Sequence, residues 1–197
     1  MLSSKSKQEE STVLLNNDDG PELPPIGETH KRIFYVHHGE VIPPGGTHGV
    51  FYGNLDVPLS PLGELEAQAA GLYLQQYNID KIASSPLKRA RYGAKQVLKH
   101  QENGHEKDIQ IYEGFTELDY CEWCGRTKAE IGEELMARFD SCDESITPKG
   151  GESYPALKAR VLNSRDDLLR SLRIGESAAI VSHLQVIRKF LFHDLYY

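Results

Sequence analysis

The chain has 197 residues, with 22 Lys and Arg against 29 Asp and Glu and a formal net charge of -7. That length suits one domain with a sizeable core, and the acidic balance argues against a nucleic-acid or membrane-surface binder, since both need a basic face. No run of about 18 apolar residues occurs and the opening MLSSKSKQEE lacks an apolar stretch, so neither a transmembrane span nor a secretory leader is expected and the chain reads as cytoplasmic. Its three cysteines, Cys121, Cys124 and Cys142, form an odd count that fits a reducing compartment better than a disulfide framework.

Residues 1–29 are rich in Ser, Glu, Asp, Asn, Pro and Gly, with Val13, Leu14 and Leu15 as their apolar cluster. Such a composition buries too little surface to offset chain entropy and predicts a mobile tail before a domain over residues 30–197. RIFYV (32–36) predicts a buried strand, followed by a loop with Pro43, Pro44, Gly45 and Gly46. A helix follows, with Ser60 as N-cap, Pro61 at its first position, and Leu65, Ala69, Leu72 and Tyr73 at helical spacing. The alternation continues with a strand at 79–84, a helix at 86–100 and a strand at 108–112. Helices are then expected at 127–139 and 153–172, a small apolar strand at 177–182 (SAAIVS), and a closing helix, LQVIRKFLFHDL. Strands separated by helices imply βαβ crossovers. The expected fold is α/β, a three-layer α/β/α arrangement with a mostly parallel sheet and helices on both faces.

In such sheets ligands sit beyond the carboxyl ends of the strands. His37 and His38 end the first strand, Ser84 and Ser85 with Arg89 follow the second, and His183 ends the last. These clusters are expected to converge on one rim. Two imidazoles, a guanidinium and a nearby carboxylate suit a reacting anion, phosphoryl above all. An imidazole nitrogen can attack phosphorus, arginine can hold the oxygens, and a carboxylate can protonate the leaving oxygen and then activate water. Glu113, Glu117, Asp119 and Glu122 all compete for the carboxylate role. His30, His48, His100, His105 and His193 are read as structural or exposed. Cys121-Glu-Trp-Cys124 lacks the second pair that a zinc site needs, so no metal is expected there, and Trp123 is read as a packing residue.

Six segments resemble, in order, the motifs of the histidine phosphatase superfamily, the phosphoglycerate mutase-like family. They are HHGE at residues 37–40, FYGNLDVPLSPLGELEAQAAG, SSPLKRARYGA, FTELDYCEWCGRT, GGESYPALKARV and VSHLQVIRKFL, spread over residues 32–195. The resemblance implies His38 as the nucleophile, because it directly precedes Gly39. It also implies Arg89 as the phosphate-binding arginine, His183 as the second histidine, Glu117 as the general acid/base, and Glu152 as support for the substrate site. The substrate implied is a small phosphorylated metabolite, with no cofactor and no metal.

The sequence departs from that pattern in four places. His37 stands where the family has arginine, so at most two donors replace a permanently charged fork of five. At the usual worth of such a donor the loss is roughly 3 kcal/mol, or about 100-fold to 1000-fold in rate. A bound phosphate would raise the pKa of His37, so a weak or acid-shifted enzyme is expected. Leu184 and Gln185 replace a glycine-rich pair, leaving the Leu184 backbone N–H as a phosphate donor at a helix start. The loop VIPPGGTHGVFYGN lacks the usual threonine and asparagine pattern. Family members also commonly continue to a further strand, so the domain is read as open to truncation after Tyr197, with a bare sheet edge that invites pairing into a homo-oligomer. Three readings stand: a phosphomonoesterase, an impaired relative that binds phosphorylated ligands, and a phosphoglycerate mutase.

Overall fold

The computed structural model describes residues 23–102 and 104–196, with side chains as far as Leu191. Of the tail expected over residues 1–29, residues 1–22 lie outside the described part, and residues 23–29 carry neither helix nor strand. The side chain of His193 also lies outside it.

The chain runs β1 (Arg32–His37), α1 (Pro61–Leu74), β2 (Lys81–Ser84), α2 (Lys88–Lys99), β3 (Ile109–Ile111), α3 (Lys128–Ile131), α4 (Glu133–Asp140), α5 (Tyr154–Ser171), β4 (Ser177–Ser182) and α6 (Leu184–Tyr196). Among the described residues the strands lie in the order β1-β4-β2-β3, and every neighbouring pair is parallel. β4 is therefore interior, and all six of its residues are buried. Its side chains alternate across the pleat. Ala179 and Val181 pack with Leu74, Ile79, Ala90 and Val97 towards α1 and α2, whereas Ala178 and Ile180 pack with Phe115, Leu157, Val186 and Phe190 towards α5 and α6. An all-small and β-branched strand thus serves two cores at once, which gives the three-layer α/β/α arrangement that the sequence predicts.

Local chemistry sets the helix ends. Ser60 accepts the Gly63 N–H at 3.0 Å with Pro61 at the first helical position, and Ser153 caps α5 through the Ala156 N–H. The start of α2 falls two residues later than the sequence suggests. Leu87 is extended, and the first N–H of the helix, on Lys88, is taken by the Asp56 carboxylate at 2.8 Å. The single helix expected at 127–139 is two, because Gly132 adopts φ 120, outside the helical region. Its N–H closes α3 on the Lys128 carbonyl, and its own carbonyl opens α4 by accepting from Met136.

The turn from β1 into α1 is sterically closed. A Cβ on Gly39 would stand 2.1 Å from the Gly63 carbonyl oxygen, and one on Gly63 would stand 1.9 Å from that of Glu40. Backbone meets backbone there, so relief requires the strand end and the helix to part. Gly63→Ala is expected to destabilise the protein by about 3 kcal/mol or more, whereas Leu65→Ala, on the exposed face of the same helix, changes stability by about 0.5 kcal/mol or less. Urea unfolding of the two variants measures the difference.

Candidate active site

The carboxyl end of β4 sets the positions of three polar segments. The Ser182 carbonyl accepts the His38 N–H at 3.2 Å, the Val181 carbonyl accepts the Ser85 N–H at 3.1 Å, and His183 follows in the chain. The Ser182 hydroxyl donates to the Phe115 carbonyl at 2.8 Å, which ties in the loop that carries Glu117. The convergence expected at one rim is thus carried by the ladder itself.

The His38 Nδ1 lies 2.7 Å from the Gly39 carbonyl oxygen. A carbonyl can only accept, so Nδ1 holds the ring proton and Nε2 keeps its lone pair. That lone pair meets the Arg89 Nε–H at 3.2 Å. Arg89 is 1% exposed. Its other nitrogens donate to the Leu55 and Gly53 carbonyls, each at 2.6 Å, and its guanidinium lies 5.2 Å from the centre of the Tyr52 ring. His37 stacks on His38 with ring centroids 4.3 Å apart, and His183 meets His38 edge-on at 5.1 Å. The His183 Nε2 is 2.7 Å from the Ser85 hydroxyl.

This packing favours the neutral form of the imidazoles. Burial, then the charges of His37 and Arg89, lowers the His38 pKa to about 3. Burial, then Arg89, holds His183 well below the ordinary value. His37 ends β1 as its one exposed residue; crowding of its ring by the rim, then the Arg89 charge, lowers its pKa as well. Glu117 moves the other way: burial raises its pKa, although both its oxygens accept backbone N–H bonds, from Leu118 at 2.8 Å and from Gln185 at 3.2 Å. A proton is therefore easier to keep on Glu117 than on an ordinary carboxylate, as a general acid requires.

Arg160 fixes the Glu117 loop. It donates bidentately to Glu152 at 2.6 and 2.7 Å and to the carbonyls of Gly114, Thr116 and Glu117 at 2.8, 2.6 and 3.2 Å. All five of its N–H donors are thereby occupied. Glu152, expected to support the substrate site, has its carboxylate engaged by Arg160. The Leu184 side chain is 55% exposed at the start of α6, and the N–H that reaches Glu117 from that helix start belongs to its neighbour Gln185.

Two cavities open near these groups. One, of about 430 Å³, is lined by His37, His38, Glu40, His48, Tyr52 and Glu66 among others. The other, of about 320 Å³, is lined by Asn54, Glu113, Glu117, Asp119, Glu152 and Arg160 together with Thr116 and two glycines. The segment 52–54 contributes to both, and Arg89 grips it by the Gly53 carbonyl. His37, His38, Arg89 and His183 are thus brought together, while Glu117 opens to the neighbouring cavity. Sequence reasoning missed Tyr52 and the Gly53 and Leu55 carbonyls as partners of Arg89. It also missed Arg160, although the segment GGESYPALKARV contains both members of the Glu152–Arg160 pair. Among the described residues no group of three or more His, Cys, Asp or Glu side chains is placed to hold a metal ion, and no helix is long and apolar enough to cross a membrane.

Comparison with known proteins covers the part of the chain that carries these residues. The histidine phosphatase superfamily (branch 1) profile matches residues 33–195. A 2,3-bisphosphoglycerate-dependent phosphoglycerate mutase of Cytophaga hutchinsonii is 33% identical over 148 residues, covering 73% of this chain and 68% of the mutase. A broad-specificity phosphatase of Saccharomyces cerevisiae is 32% identical over 146 residues, covering 64% of this chain and 63% of that protein. The chain spans 44% of the length of a bifunctional protein of Mycobacterium tuberculosis that it also matches. Among solved structures, a mycobacterial glucosyl-3-phosphoglycerate phosphatase superposes with a TM-score of 0.67 at 26% identity, covering 79% of this chain and 74% of that one.

The depressed histidines fix the sign of the acid response. Between pH 6.5 and about 3 the unfolded His38 binds a proton that the folded one refuses, so stability present above pH 6.5 is lost as the pH falls, by up to about 1.4 kcal/mol per pH unit for each such group. Urea midpoints measured from pH 7 to pH 4.5 are expected to fall, and His38→Gln is expected to make that fall shallower.

Proposed function

The chain belongs to the histidine phosphatase superfamily, and from that premise we propose that it is a phosphomonoester hydrolase acting on a small phosphorylated metabolite through a phosphohistidine intermediate on His38. The observation that carries the reading is the His38 ring, held by the Gly39 carbonyl with a bare Nε2 beside the Arg89 guanidinium. In the first half-reaction Nε2 attacks phosphorus and the bond from phosphorus to the leaving oxygen breaks, while Glu117, as the carboxylic acid, gives that oxygen its proton. In the second, the Glu117 carboxylate takes a proton from water, the hydroxide attacks phosphorus, the Nε2–P bond breaks, and inorganic phosphate leaves. The low pKa of His38 keeps the nucleophile unprotonated across the physiological range. Arg89 shifts its Nε–H from the nitrogen lone pair to a phosphoryl oxygen as the new bond forms, so its charge stabilises the transition state rather than the resting ring. Glu152 and Arg160 act from behind the Glu117 loop, and the start of α6 at Leu184 faces the phosphoryl end. The chemistry calls for no cofactor and suits the cytoplasm, where phosphorylated metabolites are found.

His37 sets the level of activity. Where the family's arginine would supply a second fixed cation, an imidazole neutral at pH 7 leaves Arg89 as the permanent charge beside His38. The same observation favours a second reading, a scaffold that binds phosphorylated ligands without turning them over. The likeness to a mutase supports a third, in which the phosphoryl group returns to an acceptor hydroxyl instead of water.

Hydrolysis of an aryl phosphate from pH 5 to pH 8 tests the proposal. The unmodified protein is expected to turn over, faster at acid pH, where a bound phosphate offsets the lowering of the His37 pKa and draws a proton onto that ring. His38→Ala is expected to abolish turnover, and His37→Arg to raise it by about 100-fold or more. Turnover that appears only in His37→Arg would establish the binding scaffold instead. Equal rates at pH 6 and pH 8 would remove the acid shift.

A further inference from the structure

His183 is 0% exposed, yet only one of its ring nitrogens is satisfied. Nε2 lies 2.7 Å from the Ser85 hydroxyl, whereas Nδ1 is closed off from solvent with no hydrogen-bond partner among the described residues. Ser85 is itself fully buried, at the end of β2, and its oxygen accepts the backbone N–H of Leu87 at 3.3 Å.

The donors and acceptors can be counted. The Leu87 N–H can only give, so it uses a lone pair of the Ser85 oxygen. The one hydroxyl proton of Ser85 then needs an acceptor, and the His183 Nε2 is the one the structure provides. If Nε2 accepts, a neutral ring must carry its proton on Nδ1. The opposite tautomer would strand the serine proton and leave a bare, buried lone pair on Nδ1. Both outcomes leave a buried polar group unpaired, which is costly.

We infer that Ser85 is a positioning residue that fixes His183 as its Nδ1–H tautomer, so that this ring meets the phosphoryl group at His38 as an uncharged hydrogen-bond donor. The inference rests on the phosphoryl-transfer reading given above. The depressed pKa of His183 agrees with a ring that is neutral at working pH. The edge-on contact of its ring with His38, 5.1 Å between centroids, keeps it within reach of an oxygen on phosphorus attached to that histidine. Serine thereby does for the second histidine what the Gly39 carbonyl does for the first: each partner is an atom of the sheet rim, and each selects one tautomer.

Long-range proton–nitrogen correlation spectra of the full chain, labelled with ¹⁵N and recorded at pH 7, test the assignment directly. The His183 signals are identified by their loss in His183→Gln. The expected spectrum of the unmodified protein shows His183 neutral with the proton on Nδ1, and inorganic phosphate is expected to shift that nitrogen. Ser85→Thr is expected to keep both features. Ser85→Ala is expected to release the proton to Nε2 and to lower kcat on an aryl phosphate by about 10-fold to 100-fold, the usual cost of removing the partner that orients a working histidine, with KM little changed. A wild-type ring protonated on Nε2, or a tautomer unchanged in Ser85→Ala, overturns the inference. If Ser85→Ala does not fold, the wild-type spectrum decides alone. A protein that turns over no aryl phosphate but shows the expected tautomer overturns the hydrolase and leaves the Ser85 assignment standing.

Discussion

A guanidinium buried to the degree of Arg89 is tolerated only if its N–H groups find acceptors, and much of the rim follows from that demand. Its acceptors come from segments far apart in sequence: the His38 ring and the carbonyls of Gly53 and Leu55. To supply them, the segment after the first glycine loop must fold over the end of β1, bringing Tyr52 onto the guanidinium face. The same charge also suppresses protonation of His37, His38 and His183. One buried cation therefore shapes the wall of the cavity and sets the ionisation of the rings within it.

The half-buried arrangement around Arg160 works differently. Arg160 is saturated by a carboxylate and three loop carbonyls, so its charge is largely compensated and its role is mechanical. Among the described residues Arg89 has no such carboxylate partner at hydrogen-bond distance; it spends its donors on neutral acceptors and keeps its field. The division suits the proposed phosphoryl transfer, where one cation answers the developing charge and the loop proposed to carry the acid/base holds still.

Periodicity and turn chemistry made the layered fold legible, because each strand is a short β-branched or small-residue run and α1, α3 and α5 each start at a capping serine or threonine. The rim histidines and Arg89 were legible for the same reason: strand ends point at one edge. What escaped the sequence was non-local. Nothing in SSPL shows that Ser85 will meet a ring 98 residues away, nor that Arg160 will gather carbonyls of the 114–117 loop. Gly132 was visible, yet a glycine within an apolar helical pattern announces a break only once its φ is known. The position of His37 was legible, but the lowering of its pKa was not, since that depends on the crowding of its ring in the fold and then on the Arg89 charge beside it.

The contact between Gly39 and Gly63 makes one wall of the histidine cavity a fixed surface, because strand end and helix start touch through backbone atoms. The opposite rim is built otherwise. Gly45, Gly46 and Gly49 adopt positive φ and have open space where a Cβ would stand, so that arch rests on little beyond its own turns. The cavity thus has one wall locked by backbone contact and one, anchored at Val41 and Val50, whose crest is not. Sequence changes at that crest can alter the lining of the cavity without disturbing the sheet, whereas changes at Gly39 or Gly63 cannot.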